Sequence, residues 1–142
     1  MGKALKVERM IYVTLMVLFL LSGLFNVIYL PDGNGNFVWI NYYQAIFASG
    51  TLSIYGNIFL GIPLLSALLG IIMNAVEIGL NRISFPIEYT SVVAFLAFFA
   101  FGLLFASIAS NMFPFGMMII GFSLAIITVR IIFHYGIRNQ KV

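Results

Sequence analysis

Glu77 is the side chain best placed for chemistry in this sequence, because it lies inside an apolar stretch. Asn74, Glu77 and Asn81 are three and four residues apart, which places them on one face of a helix. An ionisable residue within a transmembrane helix is costly and usually faces protein or water. Glu77 could be a proton or cation site, or a polar anchor for a partner helix. It could instead lie near the cytoplasmic end of its helix, where it reaches headgroup water or forms an ion pair with Arg82 or Arg130. We favour the ion pair, because nothing else in the chain indicates a proton path.

Arg130, His134 and Arg138 form a second group, spaced four residues apart along the last apolar segment. They make one basic stripe, which suits an anionic lipid headgroup or the phosphate or carboxylate of a small ligand. His134 could also donate a hydrogen bond to the carbonyl of a quinone. We favour a simpler interpretation, in which these side chains extend to the membrane surface at the end of a helix.

Residue content argues against catalysis by this chain alone. The chain has no cysteine, one histidine and four widely separated carboxylates. It therefore lacks disulfides, Cys-type zinc sites and a Ser–His–acid set. The segment from Asp32 to Asn36 resembles the start of a calcium-binding loop, but Phe37 and Tyr43 stand where that loop needs glycine and a bidentate glutamate. We predict a turn there, and no catalytic residue, metal or cofactor.

Four apolar segments are the elements that must position these residues. The chain is 63% hydrophobic and 8% charged, with a mean hydropathy of +1.12, whereas soluble domains carry about 25% charged residues. Each segment is close to the ~20 residues that cross a hydrocarbon core. They cover residues 10–30, 58–80, 90–110 and 113–135. The sequence predicts an all-α integral membrane protein, with a four-transmembrane-helix bundle as a single domain over residues 1–142.

Residues 37–55 lie between the first two predicted helices and carry apolar and aromatic residues at helical spacing. Trp39, Tyr42 and Tyr43 are of the types that prefer the headgroup level, where the ring is apolar and one edge is hydrated. We expect this segment to lie at the outer membrane interface, with these three side chains as its anchors. The alternative is that it forms the upper part of an overlong second helix.

Basic residues fall on one side of the predicted bundle. The opposite loops, residues 31–56 and 111–114, contain no Lys or Arg. Cytoplasmic loops carry an excess of these residues, so both termini are predicted to be cytoplasmic, in the plasma membrane. Basic residues dispersed in this way do not form a nucleic-acid patch. The residues that set this orientation are Lys3, Lys6, Arg9, Arg82, Arg138 and Lys141.

Packing surfaces suggest partners in the membrane. Ser66 and Gly70 form a small-xxx-small pattern, which lets helices approach closely in lipid, and residues 90–110 are rich in alanine and phenylalanine. The leading hypothesis is a non-catalytic small subunit of a larger membrane complex, respiratory or similar. Its partners would be lipids and other transmembrane chains, or further copies of itself. The alternatives are a homo-oligomeric channel or small transporter with Glu77 lining the path, and a small quinone-binding protein or membrane enzyme using Arg130 and His134.

Overall fold

The structure is a computed structural model that describes residues 2–31, 34–47, 54–108 and 112–140, with side chains for all of these except 31, 54–57 and 137–140. It is mostly helical, as predicted, but it also contains a β-hairpin and a short additional helix that were not predicted. The elements are α1 (Lys3–Ser22), β1 (Asn26–Pro31), β2 (Phe37–Asn41), α2 (Tyr42–Phe47), α3 (Ile54–Leu80), α4 (Phe85–Ile108) and α5 (Phe113–Gln140).

Three of the described helices, α3, α4 and α5, are long and apolar enough to cross a membrane. Their apolar spans are Ile58–Leu80, Phe85–Ile108 and Phe113–Gly136, with mean hydropathies of 2.1, 2.4 and 2.2. Helix α1 differs because its first two turns carry four charged residues. The structure therefore indicates a membrane protein, and a fourth span remains a prediction.

The first predicted helix, over residues 10–30, is wrong in its second half. Helix α1 ends at Ser22, and the chain then turns through Gly23 and continues as a β-strand from Asn26. A continuous apolar run does not reveal where a helix gives way to a strand, since both bury such residues. The β-branched and aromatic residues of the strand, Val27, Ile28 and Tyr29, favour the extended conformation.

Strands β1 and β2 pair as an antiparallel hairpin in which Tyr29 is opposite Trp39, with an irregularity in register between Asn26 and Ile28. Gly35 has a φ of 84°, which glycine adopts without steric cost at a turn. On one face the Tyr29 ring lies 5.0 Å from that of Trp39, while Ile28 on the other face is buried against the helices. The segment 37–55, predicted to be interfacial with residues at helical spacing, thus begins as a strand, and residues 48–53 are outside the described part of the chain.

The core of the bundle is aromatic and centres on Phe19 of α1. Its ring packs edge-on against Phe98 of α4, with centroids 4.8 Å apart, and lies near the rings of Phe115 and Phe122 of α5. Phe98 and Phe105 are buried, although phenylalanines of residues 90–110 were expected to face lipid or partner subunits. Part of the phenylalanine content therefore serves the internal packing of this chain.

Helices α4 and α5 approach closely through Gly102 and Gly116. A Cβ atom on Gly116 would overlap the backbone nitrogen of Ala106, and one on Gly102 would lie 2.6 Å from Cγ2 of Ile119. Gly70 of α3 is likewise covered by the hydroxyl of Tyr12, 2.9 Å from where its Cβ would be. Small residues thus permit contacts within the bundle, as expected for helices in lipid.

Tyr42 joins the short helix α2 to the N-terminal half of α3. Its hydroxyl donates to the carbonyl of Leu60 and accepts a hydrogen bond from the amide of Leu64 at 3.1 Å. The hydroxyl therefore lies between the Leu60 carbonyl and the Leu64 amide, which would otherwise form an i→i−4 helical hydrogen bond. It lies next to Pro63, which has no N–H to donate. Burial raises the pKa of this hydroxyl, so it remains a donor at neutral pH. Tyr42, expected as an interface anchor, is instead fully buried.

Candidate functional site

Five charged side chains from four helices meet at one end of the bundle. They are Glu8 and Arg9 of α1, Glu77 of α3, Glu88 of α4 and Arg130 of α5, and we call them the ionic cluster. They meet because the N-termini of α1 and α4 and the C-termini of α3 and α5 lie at this end, as antiparallel neighbours require.

The turn between α3 and α4 brings two of the acids together. Glu77 lies three residues before the end of α3, and Glu88 lies in the first turn of α4. Asn81 ends α3 in the left-handed conformation, with a φ of 52°, and its amide donates to the carbonyl of Ile78 at 3.2 Å. A carboxylate in the first turn of a helix also interacts favourably with the helix dipole.

Arg9 is the centre of the ionic cluster because it contacts acids on three helices. Its Nη2 donates to Oε2 of Glu88, its Nε lies 3.1 Å from Oε2 of Glu77, and its Nη1 lies 3.8 Å from Oε1 of Glu8. The Nε contact has the distance of an ion pair but not the alignment of a hydrogen bond. One guanidinium thus ties α1 to both α3 and α4.

Arg130 adds α5 to the same network. Its Nε lies 3.5 Å from Oε1 of Glu8, and its Nη1 lies 3.7 Å from Oε1 of Glu88. Its guanidinium carbon also lies 5.4 Å from the ring centroid of Tyr12, within the range of a cation–π contact. The network therefore connects all four long helices.

The ionic cluster is buried unevenly. The side chains of Glu77 and Arg9 are 1% and 4% exposed, whereas those of Glu88 and Arg130 are 27% and 28% exposed. Removing one partner from a buried ion pair leaves an uncompensated charge, which costs far more than the pair itself contributes. The contacts of Arg9 and Glu77 are therefore the ones on which the stability of this end depends most.

A second polar layer lies one helical turn from Glu77, towards the middle of α3. The side-chain amide of Asn74 donates to the carbonyl of Gly70 at 2.7 Å and to the hydroxyl of Ser91 at 3.0 Å. Asn74 and Ser91 are both buried, so this contact joins α3 to α4 inside the bundle. Hydrogen bonds of this kind between helices compensate buried polar groups in lipid.

A cavity of 490 Å³ opens beside the ionic cluster, between α1, α4 and α5. Its wall includes Glu8, Glu88 and Arg130, so part of the cluster can be reached from outside the bundle. The remaining lining residues are Leu5, Arg9, Ile131, His134 and Tyr135. A separate groove of 330 Å³ between α3 and α4 is almost entirely apolar.

The predicted ion pair of Glu77 is present, but its predicted partner is wrong. Glu77 pairs with Arg9, whereas Arg130 pairs with Glu8 and Glu88, and Arg82 lies exposed after the end of α3. Asn74 is buried on the same side of α3, as its spacing predicted, but Asn81 lies at the exposed end of the helix.

Of the other predicted site residues, the structure brings Arg130 and His134 to one cavity and leaves Trp39 and Tyr43 elsewhere. Arg130 is engaged in the ionic cluster, His134 is exposed with its ring edge-on to Tyr135, and the side chain of Arg138 is outside the described part of the structure. Trp39 is half exposed on the hairpin, where its role as an interface anchor remains a prediction. Tyr43 was also predicted as an interface anchor, and its hydroxyl donates a hydrogen bond to the carbonyl of Leu20. The turn predicted at Asp32 lies partly outside the described part of the chain, since residues 32 and 33 are not described.

Sequence reasoning missed Glu8, Arg9 and Glu88 as members of the site. Arg9 was interpreted as a signal of orientation, and the two acids were counted only among the four widely separated carboxylates. A detectable signal was present, since Glu8, Glu77 and Glu88 all lie within about two turns of helix ends on the same side of the bundle. Three acids at one depth require basic partners at that depth.

Comparison of this chain with known protein families, curated proteins and solved structures finds no match. Within the described ranges, no three His, Cys, Asp or Glu side chains are grouped so that they could hold a metal ion. The function must therefore be argued from the geometry of the ionic cluster, the cavity and the groove.

Proposed function

We propose that this chain is a non-catalytic subunit of a larger multisubunit membrane complex, in which it packs against and stabilises the transmembrane segments of partner chains. The observation that supports this proposal is the apolar groove between α3 and α4. Apolar exposure alone does not distinguish a lipid neighbour from a protein neighbour in a bilayer, because lipid tails are as apolar as leucine. The shape of the surface carries more information.

The groove has the form that a neighbouring helix requires. Small side chains, Ser66, Ala94 and Ala97, lie at its base, and the larger exposed side chains of Leu65 and Val93 stand beside them. A ridge of side chains on another helix can pack into a groove of this kind, and small residues allow the backbones to approach. The occupant that we propose is a transmembrane helix of a partner chain.

The ionic cluster fits the same role. Its charges are directed at one another across four helices, so it makes the bundle a rigid unit against which other chains can pack. It also supports α1 as a fourth span, because Glu8 and Arg9, two of the charged residues in this helix, are paired within the cluster. Helix α1 has 20 residues, which is about 30 Å. On this proposal both termini are cytoplasmic and the membrane is the plasma membrane, as the distribution of basic residues favours.

The alternative functions have less support. A path lined by Glu77 needs this side chain to face water, yet it is 1% exposed and paired with Arg9. A site for a quinone or substrate built on Arg130 and His134 would lie in the cavity that both residues line, yet the Arg130 guanidinium is already paired with Glu8 and Glu88. We rank both below the subunit proposal.

Site-specific photocrosslinking in the native membrane tests the proposal. A benzophenone side chain at position 65 or 93 lies in the groove, and the same group at the exposed positions Leu124 or Ile132 of α5 is the matched control. We expect the groove positions to give one protein adduct of defined mass, and the control positions to give none. The same partner should be present in the complex after mild solubilisation, and its removal should lower the level of this chain.

Three results would contradict the proposal. Adducts with lipid alone at positions 65 and 93 would make the groove a lipid contact. Adducts with a second copy of this chain would favour the homo-oligomer. A native mass equal to that of the monomer would exclude a stable complex.

A further inference from the structure

We propose that the ionic cluster binds one exchangeable proton, held on Glu77 and reached from the cavity through Glu88. This inference goes beyond the proposed function and does not depend on it. It concerns a binding site at the end of the bundle, whereas the subunit proposal concerns the groove between α3 and α4.

The first argument is the balance of charge. The cluster contains three carboxyl groups, Glu8, Glu77 and Glu88, and two guanidinium groups, Arg9 and Arg130. If all five were ionised, the cluster would carry one net negative charge. An uncompensated charge in a medium of low dielectric constant is expensive, so the cluster reaches neutrality by taking up one positive charge.

The second argument identifies the carboxyl group that takes it up. Glu8 and Glu88 each form ion pairs with both arginines, whereas Glu77 has a single ion pair, with Nε of Arg9. Glu77 is also the most buried of the three acids. The least compensated and least hydrated carboxylate is the one that gains most from becoming neutral.

The third argument is the size of the positive charge that can reach Glu77. Neither oxygen of Glu77 is reached by solvent, and neither accepts an aligned hydrogen bond from the described residues. The cavity is lined by Glu8 and Glu88 but not by Glu77, so a hydrated metal ion can approach the first two acids only. A proton is the positive charge that reaches Glu77 without opening the bundle.

The route to Glu77 passes through Glu88. Both acids lie along one edge of the Arg9 guanidinium, because Glu77 contacts its Nε and Glu88 contacts its Nη2. Glu88 lines the cavity and is partly exposed. A hydronium ion in the cavity gives a proton to Glu88 and becomes water; Glu88 then passes the proton to Glu77 and returns to the carboxylate form, which Arg9 and Arg130 pair.

Other titratable groups surround these acids, but they do not supply the positive charge that would make the ionic cluster neutral. Tyr12 of α1 lies beside Arg130, and His134 of α5 faces Glu8 across the cavity. His134 is exposed, so water and salt screen its charge from the buried carboxyl group. Arg82 follows the end of α3 and is exposed.

Infrared spectroscopy of the full chain in lipid bilayers tests the inference directly. The chain has only four Asp and Glu side chains, so the C=O stretch of a neutral carboxylic acid can be assigned by substitution. At neutral pH we expect a band equivalent to one protonated carboxyl per chain, which shifts to lower frequency in D2O. The band should disappear in Glu77→Gln and persist in the control Asp32→Asn.

Each other outcome overturns the inference. Absence of the band in the wild type at neutral pH means that all the acids are ionised. Persistence of the band in Glu77→Gln places the proton elsewhere. If Glu77→Gln fails to fold, the native acid is ionised, because glutamine reproduces the size and neutrality of a protonated glutamate. Finally, a melting temperature that changes when N-methylglucamine replaces Na⁺ would identify a metal cation as the bound charge.

Discussion

Arg9 lies against Glu77, with its Nε 3.1 Å from Oε2, although the two residues belong to helices separated along the chain by the hairpin and α2. This contact explains how α1 can hold a charged residue that is almost completely buried. The same guanidinium also reaches Glu88, so one side chain makes the ionic contacts of α1 with both α3 and α4.

Arg9→Gln should therefore destabilise the protein strongly. The substitution removes one of the two positive charges of the ionic cluster, so one carboxylate is left without a compensating charge, and breaking a buried pair in this way costs about 3–5 kcal/mol. Unfolding by denaturant or heat in a mild detergent measures the effect. Lys6→Gln, at an exposed position of the same helix, is the control and should change the free energy of unfolding by less than about 0.5 kcal/mol. Equal stability of the two variants would show that the cluster does not hold α1 in place.

Gly116→Ala should loosen the contact between α4 and α5. The added methyl group would overlap the backbone of Ala106, which cannot move without moving α4. Overpacking of this kind costs about 1–3 kcal/mol. Gly121→Ala on the same helix is the matched control, because nothing lies within 4 Å of the position of its Cβ. The difference between the melting temperatures of the two variants is the measurement, and no difference would contradict the close approach.

Tyr42→Phe should weaken the link between α2 and α3. The variant leaves the carbonyl of Leu60 and the amide of Leu64 without the hydroxyl that connects them, and unsatisfied buried groups cost about 1–3 kcal/mol each. Amide hydrogen exchange at Leu64, together with thermal unfolding, reports the change. Tyr135→Phe removes an exposed hydroxyl and should leave both measurements unaltered. Unchanged exchange at Leu64 in Tyr42→Phe would refute the inserted hydroxyl.

Labelling from the two sides of the membrane tests the predicted orientation. The chain contains no cysteine, so a single cysteine can be introduced at Asn34 in the hairpin turn or at Asn139 near the C-terminus. Since the basic residues lie on the side of the termini, an impermeant thiol reagent added outside intact cells should label position 34 only. Position 139 should become reactive after permeabilisation. The reverse pattern would mean that the bundle has the opposite orientation in the membrane. Labelling of both positions from outside would mean that one of the three long helices between them does not cross the membrane.

Local properties were sufficient to predict α3, α4 and α5. Their apolar runs lie close to the predicted 58–80, 90–110 and 113–135, because hydropathy over some 20 residues depends on neighbours in the chain alone. The same reasoning failed for residues 10–30, because an apolar run is equally compatible with a helix and with a strand. There the pairing of Tyr29 with Trp39 across the hairpin decides the conformation, and the mean hydropathy of a segment does not report which residues pair between strands.

By itself, the sequence indicated that this protein belongs in a membrane and where its long apolar helices lie. Both follow from the composition and from the order of residues along the chain. The spacing of Asn74 and Glu77 also identified the buried polar face of α3. Only the tertiary structure decided that Arg9, rather than Arg82 or Arg130, pairs with Glu77. The physical reason is distance: an ion pair depends on which helices are neighbours and on their relative depth, and three acids compete for two arginines at this end of the bundle.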